Sequence, residues 1–108
     1  MSYDVWLEAE RGGFKPVSVG GLSANMTYNV GGMFSAVIGH SITQWDGRPA
    51  AEVANACATI LDAFNRNPAK FKAMEPTNGW GDFDGARAFI QMINDACVAA
   101  PKAVVRVC

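Results

Sequence analysis

Two stretches of the chain repeat apolar residues at helical spacing, and three shorter ones alternate apolar with polar or β-branched residues. In the first helical stretch Val53, Cys57, Ile60, Leu61 and Phe64 fall on one side of a helix that begins near Pro49. In the second, Ala86, Phe89, Ile90, Ile93, Cys97 and Ala100 recur at spacings of three and four, while Arg87, Gln91, Asn94 and Asp95 fall largely opposite. Asp82 or Asp84 can cap this helix and complement its dipole, and Pro101 ends it. Tyr3, Val5, Leu7 and Ala9 alternate with Asp4, Trp6, Glu8 and Glu10, which predicts a strand with one buried face and Trp6 on the other.

The remaining elements follow from breakers and short patterns. Arg11-Gly12-Gly13 predicts a turn, and Pro16–Val19 a short strand opening on its proline. After Gly20-Gly21, Leu22, Ala24, Met26, Tyr28 and Val30 interleave with Ser23, Asn25, Thr27 and Asn29, predicting a second strand that runs to Val30. Asparagine has low strand propensity, so Thr27 and Asn29 are candidates to point into a cleft. Gly31-Gly32 breaks that strand, and a short helix from Met33 to Ile38 ends at Gly39. Residues 41–48 predict a loop with an Asp46-Gly47 turn. A short helix capped by Asn67 carries Phe71 and Met74, and Ala103–Cys108 predicts a closing strand. The expected architecture is a single α+β domain, with a mainly antiparallel sheet of three to four strands and helices on one face.

Composition narrows the function without naming it. The chain has 108 residues, half of them hydrophobic, which suits one core. Its formal net charge is -1, and its nine Lys and Arg residues are dispersed, so no basic surface for nucleic acid is expected. The amino terminus lacks the pattern of a signal peptide, and no apolar run is long enough to span a membrane. A cytoplasmic protein is the expectation. Cys57, Cys97 and Cys108 form no C-x-x-C pair and read as reduced, structural thiols.

Chemistry is sparse. His40, the single histidine, is followed by Ser41, but catalytic dyads are assembled across a fold rather than between neighbours, so it reads as a loop residue in solvent. Gly31-Gly32 before a helix has the makings of an anion-cradling turn, yet neither a P-loop lysine nor G-x-G-x-x-G accompanies it. Asp82 and Asp84 fail the spacing of a calcium loop and suit a helix start, so no metal and no cofactor are expected. Trp80 lies between Gly79 and Gly81, where its indole can either plug the core over Phe83 or stack on a ligand. Asn78 beside it can donate and accept hydrogen bonds.

The segments SYDVWLE (2–8), TYNVGGM (27–33), NGWGDFDG (78–85) and PKAVVRV (101–107) resemble a family of small proteins of actinobacteria and their bacteriophages. The family has no assigned activity, so the resemblance implies no catalytic residues. It implies a cytoplasmic protein, phage-encoded and acting in an infected cell.

Three functions remain. The first is a non-catalytic binding protein whose pocket, formed by Thr27, Asn29, Asn78, Trp80 and Asp82, holds a nucleotide-like or other small polar metabolite. The second is an adaptor or inhibitor that grips a host protein through exposed Trp6 and Trp45. The third is a small hydrolase or transferase, for which no nucleophile–base set or metal motif is recognisable.

Overall fold

Among the described residues, three strands and four α-helices follow in the order β1 (Ser2–Arg11), β2 (Phe14–Thr27), α1 (Gly31–Ile38), α2 (Ala50–Arg66), α3 (Pro68–Lys72), α4 (Phe83–Ala99) and β3 (Val104–Val107). The computed structural model describes residues 1–11 and 14–108, with side chains for all of these except 10–17, 19 and 20. The turn expected at Gly12-Gly13 lies outside the described residues. The sheet is antiparallel in the order β2-β1-β3, so the strand near one end of the chain pairs beside the strand near the other.

Alternation divides the sheet into two faces. Tyr3, Val5, Leu7, Leu22, Ala24 and Val105 are buried beneath the helices. Asp4, Trp6, Glu8, Asn25 and Arg106 belong to the other face, where each is exposed or half-buried. There the Trp6 indole N–H donates to Glu8 Oε2 over 2.9 Å, so Trp6 is half-buried against its own strand. The helical stripes read from the sequence are the core. Val53, Cys57, Ile60, Leu61 and Phe64 of α2 face Ala86, Phe89, Ile90, Ile93 and Cys97 of α4, and all ten are buried. Phe64 ties four elements together, with ring centroids 6.3 Å from Phe34, 4.7 Å from Phe71 and 5.2 Å from Phe83. Such pairs add about 0.5–1.5 kcal/mol each beyond their buried area. Burial pushes the Cys97 thiol up to about 11, and Cys57, buried deeper beside it, higher still. Both behave as small hydrophobes, while the free thiol of Cys108 is exposed.

Four expectations need correction. Pro16–Val19 and the segment from Leu22 are one strand, because Gly20-Gly21 makes a bulge and not a break. Val5 pairs with Ala24 and Leu7 with Val19, which leaves residues 20–23 opposite Trp6 alone, and Gly21 takes φ +65° to accommodate the surplus. The strand also stops at Thr27. Tyr28–Val30 turn as a 3-10 helix that leads directly into α1 at Gly31, so Asn29 is not on the strand face and Val30 turns inward. Gly31 is required because a Cβ there would collide with the Tyr3 hydroxyl.

The third and fourth corrections concern residues 41–48. They are not an open loop: Ile42–Trp45 form a 3-10 helix capped by the Ser41 hydroxyl, which accepts from Thr43 N at 3.2 Å. Trp45 is buried, only 4% exposed, and not the surface aromatic expected of an adaptor. The sheet edge holds it down. Gly47 N donates to Val105 O, Val105 N donates to Arg48 O, and Asp46 Oδ1 accepts from Val107 N, at 2.8, 2.8 and 3.0 Å. No helix among the described residues is long and apolar enough to cross a membrane.

Candidate functional site

The end of the β1–β2 hairpin and the segment before α4 border an open cleft of about 540 Å³. Ser2 and Thr27 are cross-strand partners, as are Asp4 and Asn25, so the polar sheet face supplies one wall. Residues 76–82 supply the other. Met1, Ser2, Asn25, Thr27, Asn29, Asn78 and Trp80 line the space.

The Trp80 segment is built by local chemistry. Asn78 Oδ1 accepts from Trp80 N at 2.9 Å, an Asx turn that fixes the backbone ahead of the indole. Gly79 and Gly81 take φ of +76° and +99°, left-handed conformations that a side chain would strain. A Cβ on Gly81 would come within 2.7 Å of Thr27 Cγ2 and 2.9 Å of Val30 Cγ1, so this glycine lets the segment lie directly against the end of β2. Trp80 itself is 69% exposed. It does not plug the core over Phe83, whose ring packs on Phe64 instead.

Hydrogen bonding orients the polar lining. The carboxylate of Asp4 only accepts, so Asn25 must turn its Nδ2 toward it, 2.7 Å away, with further contacts to Ser2 Oγ and Tyr3 O at 3.1 and 3.3 Å. Its Oδ1 is left as an acceptor. Asn78 has the opposite arrangement: its oxygen is taken by Trp80 N, which leaves Nδ2 to donate. Thr27 Oγ1 accepts from Asn29 N at 3.3 Å and keeps its O–H to donate. No hydrogen bond among the described residues engages the Asn29 carboxamide. The cleft thus offers donors and acceptors beside one open aromatic face; among the described residues no ionisable side chain lines it, but Met1 brings its α-amino group to the lining.

Four of the five sequence candidates, Thr27, Asn29, Asn78 and Trp80, therefore meet in one place. Asp82 does not join them. Its Oδ1 accepts from Gly85 N at 2.6 Å and caps α4, which is structural work. Met1, Ser2 and Asn25 were missed. Asn25 lies two residues from Thr27 on the same polar face, a signal the alternation already contained, whereas Ser2 becomes visible only once β1 is paired with β2.

A second, smaller hollow of about 200 Å³ lies beside α2, lined by His40, Gln44, Trp45, Arg48, Glu52, Val53 and Ala56. Its charges answer one another, with Arg48 and Glu52 3.9 Å apart. His40, expected in solvent, is half-buried here, and its Nδ1 lies 2.9 Å from the Ser41 carbonyl. The Ser41 hydroxyl meanwhile contacts Thr43, at 2.9 Å from Thr43 Oγ1, so the two neighbours do not form a nucleophile–base pair. Among the described residues, no three His, Cys, Asp or Glu side chains converge as metal ligands. No family model, curated protein or solved structure matches the chain.

Proposed function

We propose that this is a non-catalytic binding protein that holds a small, polar, ring-containing metabolite in the cleft between the β1–β2 hairpin and the Trp80 segment. The observation that carries it is an indole left 69% exposed on a backbone that an Asx turn and two left-handed glycines hold in place. A large aromatic kept out of the core, and set beside unspent amide and hydroxyl groups, is the composition of a stacking site. Trp80 supplies the face, and Asn78, Asn29, Thr27 and Asn25 supply the edge contacts. The cytoplasmic, phage-infected setting implied by the sequence resemblance belongs to the same proposal.

A ligand that binds only the folded state stabilises it by about 2.7 kcal/mol at a concentration of 100 Kd. Thermal-shift titration with a panel of nucleosides, nucleotides and sugars, alongside native mass spectrometry of the gently purified protein, measures this directly. A rise in midpoint with at least one class, lost in Trp80→Ala, is the expected result. No shift across the panel and no retained mass would refute the proposal.

The adaptor reading has one observation in its favour, in a new location. Met1 and Trp80, which line the cleft, are exposed, and so is Tyr28, whose backbone N donates to Met1 O at 3.1 Å and whose ring packs on Tyr3. Capture of a host protein that depends on Tyr28 and Trp80, without any small-molecule shift, would favour it.

A further inference from the structure

Resting on that binding function, we infer that Asp4 is a positioning residue for the cleft: it pins the Asn25 carboxamide so that the ligand must present an N–H donor there, as the edge of a nucleobase does. Asp4 stands outside the lining and Asn25 within it, and the two are cross-strand partners on one face of the sheet. Asn25 Nδ2 lies 2.7 Å from Asp4 Oδ1 and 3.3 Å from Tyr3 O, and both of these oxygens can only accept. A third contact, 3.1 Å to Ser2 Oγ, suits the same orientation. Turning the amide over would set Oδ1 against a carboxylate and a carbonyl with no hydrogen between them. The oxygen of Asn25 is therefore the end left for the ligand.

Asn78, on the other wall, is pinned in the opposite sense. Trp80 N can only donate, and it holds Asn78 Oδ1 at 2.9 Å, so Nδ2 is the free end. The site thus sets a fixed acceptor on the strand and a fixed donor on the facing segment, beside the indole of Trp80. An unpinned asparagine serves either polarity by turning over. These two can do so only by breaking a bond that the fold supplies.

A nucleobase answers this pattern. Its edge carries N–H donors next to ring nitrogens or carbonyl oxygens that accept, and its flat face stacks on an aromatic ring with little regard to base identity. The requirement concerns the edge and not the charge. Met1 brings its α-amino group to the lining, so the test covers nucleosides and their phosphates alike. Among the described residues the Asp4 side chain is exposed and bonds only Asn25, so replacing it alters the amide and little else.

The experiment is calorimetric titration of the full chain with three pairs: uridine and 3-methyluridine, inosine and 1-methylinosine, and adenosine and its dimethylamino derivative, each as nucleoside and 5′-monophosphate. In every pair methylation keeps the flat ring and removes the N–H donors of the base. The parent of at least one pair should bind about 2- to 12-fold more tightly than its methylated partner, the range for one net hydrogen bond. Asn25→Ala should bring that ratio close to one. Asp4→Lys, which sets a donor where an acceptor stood, should bring it to one or below. A loss of stability alone weakens both members of a pair and leaves their ratio untouched, and the change of charge cancels because the members are equally charged. Equal affinities within every pair that binds, or a ratio that survives either substitution, would overturn the inference while the binding function stands. Silence from every nucleoside and nucleotide, beside a ligand found elsewhere in the thermal-shift panel, would do the same. Silence throughout would overturn both.

Discussion

Two tryptophans sit in short irregular segments of similar length, and their fates are opposite. Trp45, in residues 41–48, is buried; Trp80, in residues 76–82, projects into water. Both segments are held by side chains that bond nearby backbone, Ser41 to Thr43 in one and Asn78 to Trp80 in the other. The difference lies in what each segment is stitched to. Asp46, Gly47 and Arg48 hydrogen-bond β3, which draws the first segment onto the sheet edge and its indole into the core. The second lies close against Thr27 at the end of β2 at Gly81, where the lack of a side chain allows the approach, and among the described residues no backbone hydrogen bond to the sheet draws its indole inward. Local turns therefore set the shape of such a segment, while its long-range backbone partners decide which way its large residue faces.

The contrast can be broken at three points. Trp45→Ala should cost about 3–5 kcal/mol in urea unfolding, the range for truncating a buried large aromatic. A loss below about 1 kcal/mol would mean the first segment is no better anchored than the second. Gly81→Ala should cost about 1–3 kcal/mol, since it combines a left-handed backbone with a Cβ driven into Thr27 and Val30. Gly79→Ala, with open space at its Cβ, should cost only the backbone term, about 1 kcal/mol. Equal losses at the two glycines would show that the Gly81 contact does not dock the segment. The smallest effect should be Trp80→Ala, within about 0.5 kcal/mol of the parent in the same unfolding experiment, even as ligand binding falls away. A loss of several kcal/mol at Trp80 would return that indole to the core and erase the distinction.

How much of this was legible in sequence depends on whether the cause was local. The stripes of α2 and α4 were read correctly except at Ala100, which lies just past the end of α4 and is half-buried, because period and burial there are the same fact. The alternation of β1 and the pairing of the chain's first and last strands were equally readable. Gly20-Gly21 was not, because a glycine pair signals a permissive backbone and cannot distinguish a turn from a bulge within a strand. Trp45 was not either, since its burial depends on hydrogen bonds to residues some sixty positions away, such as that from Val107 to Asp46. In the cleft, Thr27, Asn29, Asn78 and Trp80 stood out as polar or aromatic residues where propensity disfavoured them. Asn29 was chosen for the wrong reason, as a strand residue, and still lines the cleft from the 3-10 turn.

The bulge in β2 has a consequence for chain length. From Leu7 to Val5, β1 takes two steps, while β2 takes five from Val19 to Ala24. Two is even and five is odd. A plain zigzag would put Ala24 out of phase with Val5, and the left-handed step at Gly21 absorbs the odd count. Residues 20–23 can thus lengthen or shorten in pairs without disturbing the sheet, but a single insertion sets the two halves of β2 against each other. If the half ending at Thr27 yields, Asn25 and Thr27 swing under the helices and the cleft loses a wall. The parity of one glycine-bearing kink decides whether the polar residues of this hairpin face the cleft or the core.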